Sequence, residues 1–412
     1  MKVLIINTRH YLGGGDSTYS FNLASLLKKN GHDVYFFGMH DERNIPDPND
    51  DLFVSQIDFR KLNKKKSIKN GLYVLSRSIY SKEARNNFSK LLDRVKPDII
   101  HAQNLHGHIT PSVILEAKSR NIPVVWTLHD YKMVCPNTHF LIDNTGEICE
   151  ACKNGKFFNA IRKKCKKNSV LASFIASSEA YTHQFLHIRE LVDVFISPST
   201  FLESKLLENG FNQKRVKHVP LFLRDEQFCR SNLDDGYFLF IGKIEPIKGI
   251  LTLIEAAKLL PKIEFKIAGK ISDQTEEAFK SNLSPNINYL GLLNGEEIKK
   301  VISRSKAIIL PSLWYENQPF AILEAFAARK PVIASDLGGM KELISTNNSG
   351  VLFKPGNVHD LKNAIESLIE NPQIAIELGN NAFNYVTSIH SEHNHYEKLF
   401  EIYESLIKES RE

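Results

Sequence analysis

Short apolar runs alternate with helical segments along most of this 412-residue chain. The first run, Lys2 to Asn7, is followed by a glycine-rich turn, a helical pattern from Thr18 to Lys29 and a second apolar run from Asp33 to Gly38. This order favours parallel strands that are joined by crossover helices. Because the same alternation restarts at Tyr237, we predict an α/β protein with two parallel sheets.

The alternation breaks between the two halves, which predicts a linker between two domains of similar size. The C-terminal segment has a helical pattern whose apolar face needs a groove to cover it: Tyr396, Leu399, Phe400, Tyr403, Leu406 and Ile407. Two stretches are interpreted as insertions or long loops, a polar one at 41–70 that ends in a basic run and a cysteine-rich one at 131–168. The predicted ranges are 1–220 for the first domain, 221–236 for the linker, 237–390 for the second domain and 391–412 for the C-terminal helix.

Composition and charge narrow the classes of function. Apolar residues make up 42% of the chain and charged residues 24%, which is typical of a globular protein. A net charge of +6 favours anionic ligands or a membrane surface only weakly. No apolar run approaches the roughly 20 residues of a spanning helix, and Met1 leads directly into a strand-like run instead of a signal peptide. We therefore expect a cytoplasmic protein, with peripheral membrane association left open.

The stretch from Pro311 to Glu342 has the pattern of a strand end, a polar loop, a helix and a further strand. Glu316 lies in the loop and Glu324 eight positions later in the helix, about two helical turns further on. The start of a helix attracts anionic groups, and two carboxylates beside it can accept hydrogen bonds from the hydroxyls of a sugar and a ribose. Spacing alone leaves open that both glutamates are solvated.

Four segments of the second half occur in an order that resembles a known family. They are GKIEPIKG (Gly242 to Gly249), NINYLGLLNGEEI (Asn286 to Ile298), YENQPFAILEAFAARKPVIASDLGGMKEL (Tyr315 to Leu343) and SGVLFKPGN (Ser349 to Asn357). Together they closely resemble the donor-binding half of glycosyltransferase family 4. The glycine loop, WTLHD (Trp126 to Asp130) and FISPSTF (Phe195 to Phe201) extend the resemblance over nearly the whole chain.

This resemblance implies the GT-B fold, with two facing Rossmann-like domains, an interdomain cleft and a C-terminal helix that crosses back to the first domain. It also implies a retaining glycosyltransferase that moves a hexose-type sugar from a nucleotide-diphosphate donor to an acceptor hydroxyl in bacterial surface polysaccharide biosynthesis. Neither a catalytic metal nor a separate catalytic base is implied. A nucleotide-sugar 2-epimerase of the same fold is the alternative enzyme, and the Glu316 and Glu324 pair argues against it.

The resemblance also assigns residues to roles. Glu316, His129 and Lys248 are the implied catalytic residues, since the first two contact the donor sugar and the lysine contacts the diphosphate. Lys243 departs from the arginine that is more common in the family, and so lacks a planar fork for the phosphates. The remaining donor-binding residues are Gly14, Gly15, Leu292, Asn317, Gln318, Pro319, Phe320, Ala321 and Glu324, of which Glu324 contacts the ribose.

One motif departs from the family, because Asn317, Gln318 and Pro319 stand where a glycine, an aromatic residue and a glycine are usual. The proline removes one backbone donor. We therefore expect the side chain of Asn317 or Gln318 to be recruited to the donor site and to shift the sugar preference.

Four cysteines cluster in the second insertion, where Cys149 and Cys152 form a C-x2-C motif flanked by Cys135 and Cys165. This spacing suits a tetrahedral structural zinc, with four reduced thiols as the alternative. Basic residues surround the cluster, and they predict a surface that faces a membrane or an acceptor diphosphate, or simply solvent. The rival function of another class is zinc-dependent nucleic-acid binding.

The expected ligands follow from these assignments. We expect no catalytic cofactor, a UDP- or GDP-sugar as the donor substrate and a structural zinc ion. The expected partners are a glycan or lipid-linked oligosaccharide acceptor and the inner face of the membrane, with no nucleic acid.

Overall fold

The computed structural model describes residues 1–56, 77, 79–229, 231–273 and 275–412. Part of the first predicted insertion, including its basic run at 60–69, lies outside these described residues. The chain divides into two compact units. The first contains Met1–Pro198, Glu203–Val219 and Tyr396–Glu412, and the second contains Ser199–Leu202 and Pro220–His395.

The first unit is built on one parallel sheet with helices packed against it. Its strands are β1 (Lys2–Ile6), β2 (Asp33–Phe37), β3 (Ile99–Ala102), β4 (Val124–Thr127), β7 (Val194–Ser197) and β8 (Val216–His218), and the cysteine-rich insertion adds the antiparallel pair β5 (Leu141–Ile142) and β6 (Glu147–Ile148). Its helices are α1 (Gly15–Lys29), α2 (Lys82–Val95), α3 (Ser112–Lys118), α4 (Phe158–Arg162), α5 (Val170–Phe185), α6 (Ile188–Leu191) and α7 (Thr200–Glu208), of which α7 begins in the second unit.

The second unit repeats this design. Its strands are β9 (Phe238–Ile241), β10 (Phe265–Ala268), β11 (Ile287–Gly291), β12 (Ala307–Leu310), β13 (Val332–Ser335) and β14 (Gly350–Phe353). Its helices are α8 (Ile250–Lys258), α9 (Glu276–Asn282), α10 (Gly295–Arg304), α11 (Phe320–Ala327), α12 (Gly338–Ser345), α13 (Val358–Glu370) and α14 (Pro372–Ile389), and α15 (Glu392–Arg411) follows.

The central strands of both sheets are mostly apolar because each is buried on both faces. All four residues of β3, β4, β12 and β13 are buried, and they supply much of the core. Helix α2 shows how local signals set the boundaries. The Ser81 hydroxyl accepts a hydrogen bond from the Ala84 amide at 3.1 Å, and Lys96 ends the helix in a left-handed conformation.

The strand orders locate the functional edge of each sheet. The first sheet has the order β2-β1-β3-β4-β7-β8 and the second β11-β10-β9-β12-β13-β14, with all neighbours parallel. The direction of winding therefore reverses between β1 and β3 in the first unit, and between β9 and β12 in the second. Ligands of such sheets bind at the carboxyl ends of the strands beside this switch point.

Helix α15 completes the first unit, to which Tyr396–Glu412 belongs. Leu399 and Tyr403 are buried, and the Tyr403 hydroxyl lies within hydrogen-bonding distance of Nδ1 of His101 on β3. The Tyr396 hydroxyl is 2.9 Å from Nε2 of His32. No helix in the part of the chain that the structure describes combines the length and the apolar character that crossing a membrane requires.

Candidate active site

Two loops meet at the switch point of the second sheet. The loop Gly242 to Gly249 follows β9, and the loop Pro311 to Pro319 follows β12. Gly249 has a φ of 70°, and a Cβ atom there would lie 1.7 Å from the carbonyl oxygen of Pro311. Only glycine permits this close approach, which places the two loops side by side.

Glu316 lies at the centre of this pair of loops and is 6% exposed. Its Oε1 accepts hydrogen bonds from Lys248 Nζ at 2.6 Å, from Ser312 Oγ at 2.8 Å and from Trp314 Nε1 at 2.9 Å. A buried carboxylate is stable only with such partners. The structure therefore brings together two of the predicted catalytic residues, and adds Ser312 and Trp314, which the sequence did not single out.

The glycine pair at the start of α12 holds the main chain around Glu316 in place. The Gly339 amide donates a hydrogen bond to the Glu316 carbonyl at 2.9 Å. A Cβ atom at Gly339 would lie 1.5 Å from the Asn317 carbonyl oxygen. The Gly-Gly sequence therefore lets α12 press against the loop and hold it in place.

Glu324 lies in the middle of α11, after Pro319 at the N-cap position. It lines a cavity of about 190 Å³ together with Arg224, Glu296 and Lys299. Burial raises the pKa of the Glu324 carboxyl to about 7. Near neutral pH this group is therefore poised between its protonated and ionised forms, and a ligand that donates hydrogen bonds favours the ionised form.

Asn317 and Gln318 are buried, and their side-chain oxygens already have partners inside the second unit. Oδ1 of Asn317 accepts a hydrogen bond from Ser199 Oγ at 2.6 Å, and Oε1 of Gln318 accepts one from the Leu221 amide at 2.6 Å. These bonds tie the loop to two distant segments of the same unit. The predicted recruitment of these side chains to the donor stays a prediction.

Two other predicted donor-binding residues have exposed side chains. The Lys243 side chain is 58% exposed and forms an ion pair with Glu245. Leu292 follows β11 and is 76% exposed. Phe320 and Ala321 form the first turn of α11, where backbone amides lack partners within the helix.

The first unit carries a second group of polar residues at the ends of β1, β3 and β4. Gly14 is the N-cap of α1 and Gly15 its first residue. His129 follows β4, and its Nε2 is 2.7 Å from Oε1 of Gln103, so that nitrogen is the donor. Burial lowers the pKa of His129 to about 4, so the imidazole is neutral at physiological pH.

Asp16 and Asn104 complete this group, and the sequence did not single them out. The Asn104 side-chain amide donates to Asp16 Oδ2 at 3.3 Å, and Arg9 lies 3.6 Å from Asp16 Oδ1. Asp16 is in the first turn of α1, where a carboxylate suits the helix dipole.

Next to this group lies a buried ion pair that sequence analysis also missed. Lys132 Nζ donates to Glu179 Oε2 at 2.7 Å, and both side chains are less than 10% exposed. Burial opposes ionisation of Glu179, but Lys132, His183 and His106 together outweigh it and lower the pKa of the carboxyl to about 2. Glu179 Oε1, His106 Nδ1 and His183 Nε2 have no hydrogen-bond partner among the residues that the structure describes. Lys132 and Glu179 are 47 positions apart, so the sequence carries no local signal of this pair.

The four cysteines of the insertion line one small cavity, and none forms a disulfide. Burial, together with the neighbouring thiols, raises the pKa of Cys152 and of Cys165 to about 12. Among the described residues, no group of three or more histidine, cysteine or acidic side chains has the arrangement of a metal site. The predicted convergence of the cysteines is present, whereas the predicted zinc is not supported by this arrangement.

Comparison with protein families agrees with this architecture. Residues 13–227 match the profile described as Glycosyltransferase Family 4, and residues 224–385 match the profile described as Glycosyl transferases group 1. The chain belongs to glycosyltransferase family 4 and is a glycosyltransferase, as the sequence motifs predicted.

Similar proteins include an uncharacterised 42.6 kDa protein in the cps region of Klebsiella pneumoniae, which is 25% identical over 83% of this chain and 87% of its own. The N,N'-diacetylbacillosaminyl-diphospho-undecaprenol alpha-1,3-N-acetylgalactosaminyltransferase of Campylobacter jejuni is 26% identical over 87% of this chain and 92% of its own.

Among solved structures, Anabaena HepE in complex with UDP-glucose has a TM-score of 0.68 at 16% identity, covering 98% of this chain and 100% of that protein. This likeness confirms the predicted GT-B fold, with two Rossmann-like units that each contain a parallel sheet.

Proposed function

We propose that this protein is a retaining glycosyltransferase that transfers a hexose-type sugar from a UDP- or GDP-sugar to an acceptor hydroxyl, without a catalytic metal. The observation that carries this proposal is the buried Glu316 carboxylate, held by Lys248, Ser312 and Trp314 where the two loops meet. The site supplies a hydrogen-bond acceptor for sugar hydroxyls and a cation for phosphate within 2.6 Å of each other.

The contact between Lys248 and Glu316 suggests what donor binding does. Without a ligand the two charges neutralise each other. A bound diphosphate competes for the ammonium group of Lys248, and this frees Glu316 to accept hydrogen bonds from the sugar. As the glycosidic bond breaks, negative charge grows on the leaving diphosphate, and a cation that is already in place stabilises that charge.

Glu324 and the start of α11 extend the donor site towards the nucleotide in this proposal. The Glu324 carboxyl lines a cavity and has a pKa of about 7, so two ribose hydroxyls can shift it to the ionised form. Backbone amides in the first turn of α11 suit a phosphate group. The donor in the HepE complex is UDP-glucose, which supports a nucleoside diphosphate as the recognised group.

For the acceptor we propose a glycan or a lipid-linked oligosaccharide, bound by the first unit during assembly of a bacterial surface polysaccharide. The Campylobacter relative is named for a diphospho-undecaprenol acceptor, and the Klebsiella relative is encoded in a cps region. His129, Gln103 and Asn104 offer neutral hydrogen-bonding groups, which suit the hydroxyls of an acceptor or donor sugar.

A panel of nucleotide sugars in a thermal-shift assay tests the donor proposal, followed by hydrolysis assays on each hit. We expect one UDP- or GDP-sugar to raise the melting temperature and to be hydrolysed slowly, and NMR of the product to show a retained anomeric configuration. Failure of every nucleotide sugar to stabilise the protein, or an inverted product, would overturn the proposal.

We also propose that Cys135, Cys149, Cys152 and Cys165 bind one structural zinc ion. All four line the same cavity, as a four-thiolate site requires, although metal binding has to bring the sulfur atoms into ligating geometry. Metal analysis of the purified protein tests this, with Cys149→Ser as the variant and Cys229→Ser, outside the cluster, as the control. We expect about one zinc per chain in the parent and the control. The proposal would be refuted if the purified protein contained no metal and the addition of zinc left its stability unchanged.

A further inference from the structure

Helix α5 turns an apolar side towards solvent. Val170, Leu171, Phe174, Tyr181 and Phe185 are all exposed, from 39% at Tyr181 to 81% at Phe185. With 3.6 residues per turn, these five positions fall within about 100° of the helix circumference. They therefore lie on one side of the helix, in two groups about two turns apart.

The opposite side of α5 is buried, yet it is largely polar. Ser173 Oγ accepts from the Lys166 amide at 3.1 Å, and Ser177 Oγ donates to the Phe157 carbonyl at 2.9 Å. Glu179 forms the buried ion pair with Lys132. A helix on the surface of a globular protein normally shows the reverse pattern, so packing against this fold does not explain the exposed apolar side.

The neighbouring helix α4 widens this apolar side into a surface. The Phe158 amide donates to the Tyr181 hydroxyl at 3.1 Å, and the Phe158 side chain is 52% exposed. We call this surface the α5 face, and its members are Phe158, Val170, Leu171, Phe174, Tyr181 and Phe185.

Positive charge concentrates in the segment that carries the α5 face. Residues 153–185 contain seven of the 53 lysines and arginines of the chain and one of its 47 acidic residues, the buried Glu179. The rest of the chain contains 46 of each, so this segment accounts for the entire net charge of +6. Five of its cations are exposed and have no ion pair within the described part of the chain: Lys156, Arg162, Lys163, Lys164 and Lys167.

We propose that the α5 face binds the surface of an anionic phospholipid bilayer. Apolar side chains that enter the boundary between headgroups and acyl chains, next to cations that attract anionic headgroups, provide the two signals that stable peripheral binding needs. A second copy of this chain is a poorer occupant because the contact would bring two patches of the same charge together. Nucleic acid is also a poorer occupant, because its bases can stack on the four aromatic members of the face but leave the aliphatic Val170 and Leu171 exposed, whereas a bilayer buries all six.

The ion pair between Lys132 and Glu179 connects helix α5 to the loop that carries His129. Glu179 is on the buried side of α5, and Lys132 is three positions after His129 in the loop that follows β4. A bilayer against the α5 face therefore lies about one helix diameter, ~10 Å, from that loop. This geometric link deepens the proposed function and rests on its lipid-linked acceptor, whereas vesicle binding itself does not require that acceptor.

Flotation of the 412-residue protein with vesicles tests the proposal. We expect binding to vesicles of phosphatidylcholine mixed with phosphatidylglycerol, weaker binding to phosphatidylcholine alone and a loss of binding at high salt. The double variant Phe174→Asp, Phe185→Asp is expected to bind the mixed vesicles at least about tenfold more weakly. The matched control, Ile374→Asp with Ile376→Asp, changes two comparably exposed apolar residues on α14 and should bind as the parent does.

The results distinguish the membrane proposal from the proposed function. The membrane proposal is overturned if the parent protein does not bind the mixed vesicles, or if the Phe174 and Phe185 variant binds them fully. It is also overturned if the α5 face instead binds RNA, or forms a dimer that the same variant disrupts. Sugar transfer to a water-soluble acceptor should be unchanged in the variant, which also shows that it folds. Loss of transfer with intact vesicle binding counts against the proposed function alone.

Discussion

The two sheets carry polar side chains at corresponding strand ends, but the two groups of side chains differ in electrostatic character. At the switch point of the second sheet, Glu316 and Lys248 form a compact pair of full charges. Near the switch point of the first sheet, His129 is neutral and contacts the neutral Gln103. In the function proposed above, the second site receives the charged phosphates, and His129, Gln103 and Asn104 in the first unit exchange hydrogen bonds with hydroxyl groups. The carboxylate of Asp16, which belongs to the same first-unit group, is paired with Arg9.

The largest expected effect comes from breaking the charged pair at its carboxylate. Glu316→Ala removes the acceptor for sugar hydroxyls and leaves Lys248, Ser312 and Trp314 without it, so we expect the transfer rate to fall about a hundredfold or more. Steady-state kinetics with the best nucleotide sugar measures this. Glu377→Ala, at an exposed position on α14, is the control and should keep full activity. If Glu316→Ala kept full activity, the pair of Glu316 and Lys248 would not be the donor site.

The two lysines of the β9 loop should differ in their effects. Lys248 contacts Glu316 directly, so Lys248→Met is expected to weaken donor binding and turnover about tenfold or more. Lys243 is exposed and paired with Glu245, so Lys243→Met is expected to cost about threefold or less. Calorimetric titration with the nucleoside diphosphate gives both affinities. Equal losses in the two variants would show that both lysines hold the diphosphate alike.

The pH dependence of donor binding tests the role of Glu324 in the second unit. In the free protein its carboxyl is protonated below a pKa of about 7, and ribose hydroxyls favour the carboxylate. Binding then releases a proton at low pH, so affinity should rise with pH by up to about tenfold per unit below pH 7 and level off above it. Glu324→Gln should flatten this curve in titrations between pH 5.5 and 8.5. Arg224, Glu296 and Lys299 line the same cavity, and an unchanged slope in the variant would assign the titration to one of them or to the ligand.

A smaller effect than at Glu316 or Lys248 is expected at His129 in the first unit. His129→Asn keeps a hydrogen-bonding side chain but changes its reach, and we expect about a tenfold loss of turnover or less. Since the pKa of His129 is about 4, the ratio between parent and variant rates should stay constant from pH 6 to 8. Rate profiles over that range test this. A ratio that changes with a midpoint near 6.5 would mean that the imidazole is charged during the reaction.

The periodicity of the sequence was sufficient for the architecture, because strands buried on both faces need continuous apolar runs. Boundaries were less accurate where caps and turns decide them. The helix predicted from Thr18 begins at Gly15, and the apolar run from Asp33 to Gly38 forms a strand that ends at Phe37. These shifts leave the order of elements unchanged.

The candidate site was predictable only as far as residues lie close together in the sequence or match family motifs. Glu316 and Lys248 were found in that way, and their direct contact was not, since 68 positions separate them. Lys132 and Glu179 were missed because a buried ion pair between distant elements has no sequence period. The sequence also did not show that the apolar side of α5 faces solvent. Periodicity shows that a helix has an apolar and a polar side, but not which side meets the core.

Helix α15 has a consequence for how the protein is made. The first unit needs Tyr403 beside His101, yet the 176 residues 220–395 of the second unit are translated between its two parts. At about 5 to 20 residues per second, translation of this segment takes about 10 to 35 seconds, during which the early sheet lacks Leu399 and Tyr403. We therefore expect the yield of folded protein to depend on how well the nascent chain tolerates this interval.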